Sequence, residues 1–190
     1  MRKIIISCFL LLFTLHLQAQ TGGYQPGQKV EAFTLQTETG QKVALTDHAA
    51  SKAVVVIFTN ALCPYAQLYQ KRLQQLNTDY AGKGVKFLFI QSAINTNNTT
   101  TKAANDVQYA VDTDQKVSQQ WGATKTPEVF VLQPDNGTFT LRYKGAIDDN
   151  PQVEGYVKEN FLKNALDAIV ANQAPAISQK RATGCSIKRF

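Results

Sequence analysis

Among residue types able to do covalent chemistry, Cys63 has the most informative surroundings. The run Val54-Val55-Val56-Ile57-Phe58 leads through Thr59-Asn60-Ala61-Leu62 into Cys63-Pro64-Tyr65-Ala66. A continuous apolar, β-branched run reads as a strand buried on both faces. Pro64 fits the first position of a helix, where its missing N–H costs nothing. A cysteine at that junction meets the positive end of the helix macrodipole and unpaired backbone N–H groups, and both favour thiolate over thiol. The pattern points to a nucleophilic sulfur and to redox chemistry. Asn60 is expected to hydrogen-bond the turn or the sulfur, with a local capping role the plainer outcome.

The other cysteines narrow the choice. Cys8 lies in the apolar run Ile4 to Leu17, which follows Arg2-Lys3 and precedes Leu17-Gln18-Ala19-Gln20. This reads as a secretion signal over residues 1–20, too short for a comfortable membrane span. The expectation is an exported protein, periplasmic or secreted, with no stable membrane insertion after cleavage. Cys63 and Cys185 then remain, a pairable number where disulfides persist. Two outcomes stay open: a reactive pair, or a structural bridge tying the C-terminal tail to the domain, which would stabilise the fold by about 4–5 kcal/mol.

Several chemistries find little support. Without the signal the one histidine is His48, in a polar stretch after Asp47, so Ser–His or Cys–His catalysis would hang on a residue that reads as surface. No ligand pair has metal-site spacing and no glycine loop suits a phosphate, so neither a metal nor a cofactor is expected. The formal net charge of +6 falls to +4 without Arg2 and Lys3. Its cations are scattered and not interleaved with stacking aromatics, which argues against nucleic acid. Lys180, Arg181, Lys188 and Arg189 do surround Cys185; they read as a solvated basic tail, or as a field favouring its thiolate. Asp148-Asp149, between Gly145 and Pro151, read as turn residues.

The elements that must hold Cys63 follow from pattern and breakers. Residues 21–27 read as a linker, 28–172 as one domain and 173–190 as a tail carrying Cys185. Ala32–Gln36 and Gln41–Leu45 flank Thr39-Gly40 as an N-terminal β-hairpin. A helix after Pro64 carries Tyr65, Tyr69, Leu73, Leu76 and Tyr80 at helical spacing and stops at Gly82. Val85–Ile90 reads as a buried strand, Val107–Val111 as a short edge strand, and Asp112-Thr113-Asp114 as the cap of a helix ending at Trp121-Gly122. Glu128–Leu132 and Thr138–Tyr143 flank a Pro134-Asp135-Asn136-Gly137 turn, and Val157–Val170 reads as a closing helix. Trp121 and Phe130 read as core. The order implies an α/β fold: a mixed central β-sheet with helices on both faces and an N-terminal β-hairpin. Cys63 would sit at the carboxyl edge of that sheet, where ligands gather.

At this level the chain resembles the thioredoxin-like fold, and within it the redoxin, or AhpC/TSA-like, branch that includes the peroxiredoxins. Phe58-Thr59-Asn60-Ala61-Leu62-Cys63-Pro64 looks like the strand-to-helix turn of those proteins. Ala123-Thr124-Lys125-Thr126-Pro127-Glu128-Val129-Phe130-Val131 resembles the segment presenting a cis-proline beside the reactive sulfur. Tyr143-Lys144-Gly145-Ala146-Ile147-Asp148-Asp149-Asn150 and Gly184-Cys185-Ser186-Ile187-Lys188 look like a peroxiredoxin-like group of redoxins. The resemblance implies a thiol-disulfide oxidoreductase with Cys63 as nucleophile, Cys185 as resolving cysteine, Thr126 and Pro127 as the substrate-facing edge, and Asn60 and Pro64 supporting the cysteine turn. Its partners would be a protein or small-molecule disulfide, or a hydroperoxide, and a thiol reductant. Alternatives are a peroxiredoxin-like peroxidase and a non-enzymatic binding domain with a structural Cys63–Cys185 bridge. The chain departs from the pattern where thioredoxins place a second cysteine (Ala66) and where peroxiredoxins place a proline and a threonine before the sulfur (Val56, Asn60). Their peroxide-polarising arginine would fall near Thr126 and Pro127.

Overall fold

The computed structural model describes residues 22–92 and 109–189, so the secretion signal expected over residues 1–20 lies outside the described residues. The chain order is β1 (Lys29–Val30), β2 (Thr34–Thr37), β3 (Lys42–Ala44), β4 (Ala53–Thr59), α1 (Pro64–Ala81), β5 (Val85–Gln91) and β6 (Tyr109–Val111). It continues with α2 (Lys116–Trp121), β7 (Lys125–Thr126), β8 (Glu128–Asp135), β9 (Thr138–Gly145), α3 (Phe161–Val170), β10 (Gln179–Lys180) and β11 (Cys185–Ser186). The main sheet runs β1-β9-β8-β4-β5-β6-β2-β3, with β10 also on β9. β4, β5 and β6 are parallel, whereas β8 and β9 return antiparallel. This is the expected mixed sheet with an N-terminal hairpin.

Why β4 is central follows from its sequence. Residues Val54 to Phe58 have no exposed surface, and alternation divides them between two cores. Val55 and Ile57 meet Tyr69 and Leu73 of α1 and Leu162 and Leu166 of α3. Val54, Val56 and Phe58 face the opposite core, with Val117 and Trp121 of α2. Trp121 is fully buried there, edge-on to Tyr24, Phe33, Phe58 and Phe130. Of the residues expected to cap α2, Asp112 does so from upstream, its carboxylate accepting the Val117 and Ser118 backbone N–H groups at 3.2 and 2.8 Å, while the N-cap position itself is Gln115.

Four expectations need correcting. The segment read as a linker packs onto the domain: Tyr24 is buried against Trp121, and its carbonyl accepts from Lys144 Nζ at 2.7 Å. The strand expected at an edge is interior, since β2 pairs with β6 through Gln36↔Val111 and covers it; residues 107–108 lie outside the described residues. The last helix starts at Phe161 and not at Val157, because the Asp149 carboxylate captures the N–H groups of Lys158 and Glu159 at 3.0 and 3.2 Å. The tail is not a free solvated extension: β10 lies on β9 and β11 on β7.

Candidate functional site

Cys63 is the N-cap residue of α1, with Pro64 in the first helical position. It therefore precedes the free N–H groups of the first turn, which favour negative charge on an adjacent sulfur. The turn before it is pinned by Asn60, which is buried. Asn60 Nδ2 donates to the Ser92 carbonyl at 2.7 Å, and Oδ1 accepts from the Leu62 N–H at 2.8 Å. Of the two roles open to Asn60, its hydrogen bonds are those of the turn. They tie the end of β4 to the end of β5, so the sulfur sits on the sheet and not on a loose loop.

Cys63 is bridged to Cys185, with Cα atoms 5.9 Å apart and 122 residues between them in sequence. Cys63 has no exposed surface, and Cys185 is half-buried. The Thr126–Pro127 peptide beside them is cis. Thr126 is wholly buried, and its carbonyl oxygen lies 3.0 Å from Cys63 Sγ. In the bridged state that sulfur carries no proton, so this is a close contact; a reduced thiol would donate its hydrogen there. The helix terminus and this carbonyl thus act on the sulfur in opposite directions.

The edge beyond Cys63 is already occupied. β11 pairs antiparallel with β7, matching Cys185 to Thr126 and Ser186 to Lys125. Gly184 is required for this approach, because a Cβ there would overlap the Thr126 carbonyl group. Lys125 Nζ donates to Ser186 Oγ at 2.9 Å.

Three features of this region were not readable from the sequence. Buried Glu128 accepts the Thr124 and Lys125 N–H groups at 2.7 and 3.0 Å, fixing the loop that presents Thr126. A carboxylate directly after the proline was the available signal. Arg72 of α1 forms a buried ion pair at 2.6 Å with Asp148, which follows β9, and Tyr69 Oη of the same helix donates to that carboxylate at 2.7 Å. Burial first, and that hydrogen bond second, raise the Tyr69 phenol far above its ordinary value, so it remains a donor. Asp148 was thus read wrongly as a plain turn residue. Finally, Arg189 closes onto Ser118 and Ala123.

The family model for AhpC/TSA proteins matches residues 26–149, well over half of the chain. The chain belongs to the AhpC/TSA family. The match spans the Cys63 turn and the Thr126–Pro127 segment and ends before the tail that supplies Cys185. Two solved structures resemble this AhpC/TSA protein along most of its length. A hypothetical protein from Sinorhizobium meliloti is 25% identical with a TM-score of 0.77, covering 89% of this chain and 97% of that one. An uncharacterized conserved protein from Geobacillus kaustophilus is 27% identical with a TM-score of 0.76, covering 88% and 93%. A candidate thiol:disulfide interchange protein, DsbE, from Chlorobium tepidum is 19% identical with a TM-score of 0.57, covering 79% and 98%, a likeness of fold. No curated protein matches the sequence. The architecture is therefore the thioredoxin-like α/β fold implied by the sequence resemblance.

Proposed function

We propose that this AhpC/TSA-family protein is an exported thiol-disulfide oxidoreductase in which Cys63 is the nucleophile and Cys185 resolves. The observation that carries the reading is the pairing of Cys185 with a cysteine at a helix N-cap, beside the cis Thr126–Pro127 edge. In the reduced protein the Cys63 thiolate attacks a substrate disulfide, forming a mixed disulfide and expelling one substrate thiolate. The Cys185 thiolate then attacks Cys63 Sγ, closing the protein bridge and releasing the second substrate sulfur. Two electrons pass from the cysteine pair to the substrate, and a dithiol reductant returns them. Thr126 and Pro127 border the reacting sulfurs, while Asn60 and Pro64 hold the turn. Export rests on residues 1–20. A peroxidase reading is less well supported, because the Thr126 carbonyl, 3.0 Å from Cys63 Sγ, is an acceptor and cannot donate a hydrogen bond to a peroxide.

The test is trapping of the reduced mature protein with a small disulfide and, separately, with hydrogen peroxide. The Cys185→Ser variant should accumulate a mixed disulfide on Cys63, and Cys63→Ser should accumulate none. If the bridge resists mild reductant, as expected for a potential below about −300 mV, and Cys63 exchanges with no disulfide in Cys185→Ser, the pair is structural and the proposal fails.

A further inference from the structure

The strand carrying Cys185 is held in place by contacts that do not involve its sulfur. Upstream, the Ser178 and Lys180 carbonyls accept the N–H groups of Lys144 and Ala146, each at 3.0 Å. Gly145, at φ 124, lies so close beneath the Lys180 carbonyl that a side chain there would overlap it. Downstream, the Ile187 N–H donates to the Thr124 carbonyl at 2.9 Å, and its side chain is buried in the Trp121 core. Gln115 Nε2 donates to the Lys188 carbonyl at 2.6 Å. The last contact is the most elaborate. Arg189 Nη1 donates to Ser118 Oγ at 2.8 Å, while Nη2 donates to the Ser118 carbonyl at 3.1 Å and to the Ala123 carbonyl.

We infer that Arg189 is a positioning residue that latches residues 182–189 across Cys63, so that Cys63 meets an external sulfur only when the latch opens. The inference rests on the reading of Cys63 as an exchanging thiol. Because none of these anchors includes the disulfide, they outlast its reduction. Cys63 has no exposed surface, and the segment lying over its sulfur is this one. Its exposure is then a local opening, whose frequency is set by the anchors and not by global stability. A forked guanidinium that bridges one hydroxyl and two carbonyls loses all three bonds on opening, and charge-assisted bonds are the stronger kind. The latch also keeps Cys185 next to Cys63, an effective concentration that a loose tail would not reach.

The test measures iodoacetamide alkylation of Cys63 in the Cys185→Ser protein, with and without Arg189→Ala. We expect at least a fivefold rise in rate on removing Arg189, a rate that stays flat in low urea, and partial restoration by Arg189→Lys, which keeps the charge but not the fork. A smaller rise overturns the latch. So does a rate that climbs with urea as steeply as global unfolding, because it marks a merely structural role. The measurement needs no turnover. A protein that alkylates as expected but exchanges no disulfide keeps the latch and loses the oxidoreductase reading; the reverse pattern does the opposite.

Discussion

Replacing Asp148 by Ala should be among the most damaging single changes in this protein. Its carboxylate accepts from Arg72 Nη1 at 2.6 Å, Tyr69 Oη at 2.7 Å and the Asn150 N–H at 3.0 Å, and its side chain is 3% exposed. The substitution leaves the Arg72 guanidinium, 9% exposed, with the Asn150 and Pro151 carbonyls but no counter-charge. Breaking one side of a buried pair costs about 3–5 kcal/mol, because the surviving charge is left uncompensated. Urea unfolding of Asp148→Ala, Arg72→Met and the double variant measures the effect and the coupling. The double variant should lose less than the two single losses together, since it removes the stranded charge. A loss below about 1 kcal/mol for Asp148→Ala, or strict additivity, would refute the argument.

Two further outcomes are expected. The Asp149 carboxyl is held below its ordinary range, first by the Glu159 N–H and also by that of Lys158. A depressed folded value stabilises the protein above the unfolded value of about 3.9, and the contribution disappears as pH falls through the folded value. Acid titration of stability should therefore be shallower in Asp149→Asn below about pH 4, and an unchanged acid limb would count against this. Trp121→Ala should cost about 3–5 kcal/mol by emptying a site ringed with aromatics. Trp121→Phe should cost less than half as much in urea unfolding, since it keeps a ring and removes an indole N–H that has no hydrogen-bond partner among the described residues; equal losses would contradict this.

The elements built on local signals were legible from sequence. The apolar Val54–Phe58 run, the Cys63-Pro64 junction and the Asn136-Gly137 turn each owe their conformation to neighbours within a few residues. Pairing of Cys63 with Cys185 was legible as one option because these two cysteines lie outside the apolar N-terminal run, although counting could not separate a reactive bridge from a structural one. Long-range polar contacts stayed hidden. Arg72 and Asp148 are 76 residues apart, and Arg189 reaches Ser118 across 71; nothing local distinguishes such side chains from solvated ones. The same limit produced the errors at residues 22–27 and in the tail. Small and polar composition predicts exposure, but Tyr24 and Ile187 each supply one apolar anchor that draws its segment down.

The 122-residue separation of the bridged cysteines also makes residues 63–185 a covalent ring, with β1 to β4 on the arm that precedes it. Tension applied on either side of the ring would pass through the sulfur–sulfur bond, leaving α1 through α3 and strands β5 to β10 outside the loaded path, while β1 to β4 lie on the loaded arm. Only the arms could extend. Cutting the bond would release the ring, adding about 440 Å of contour at roughly 3.6 Å per extended residue. Oxidation state would then set how far the protein can extend under force, by holding or releasing the contour of residues 63–185.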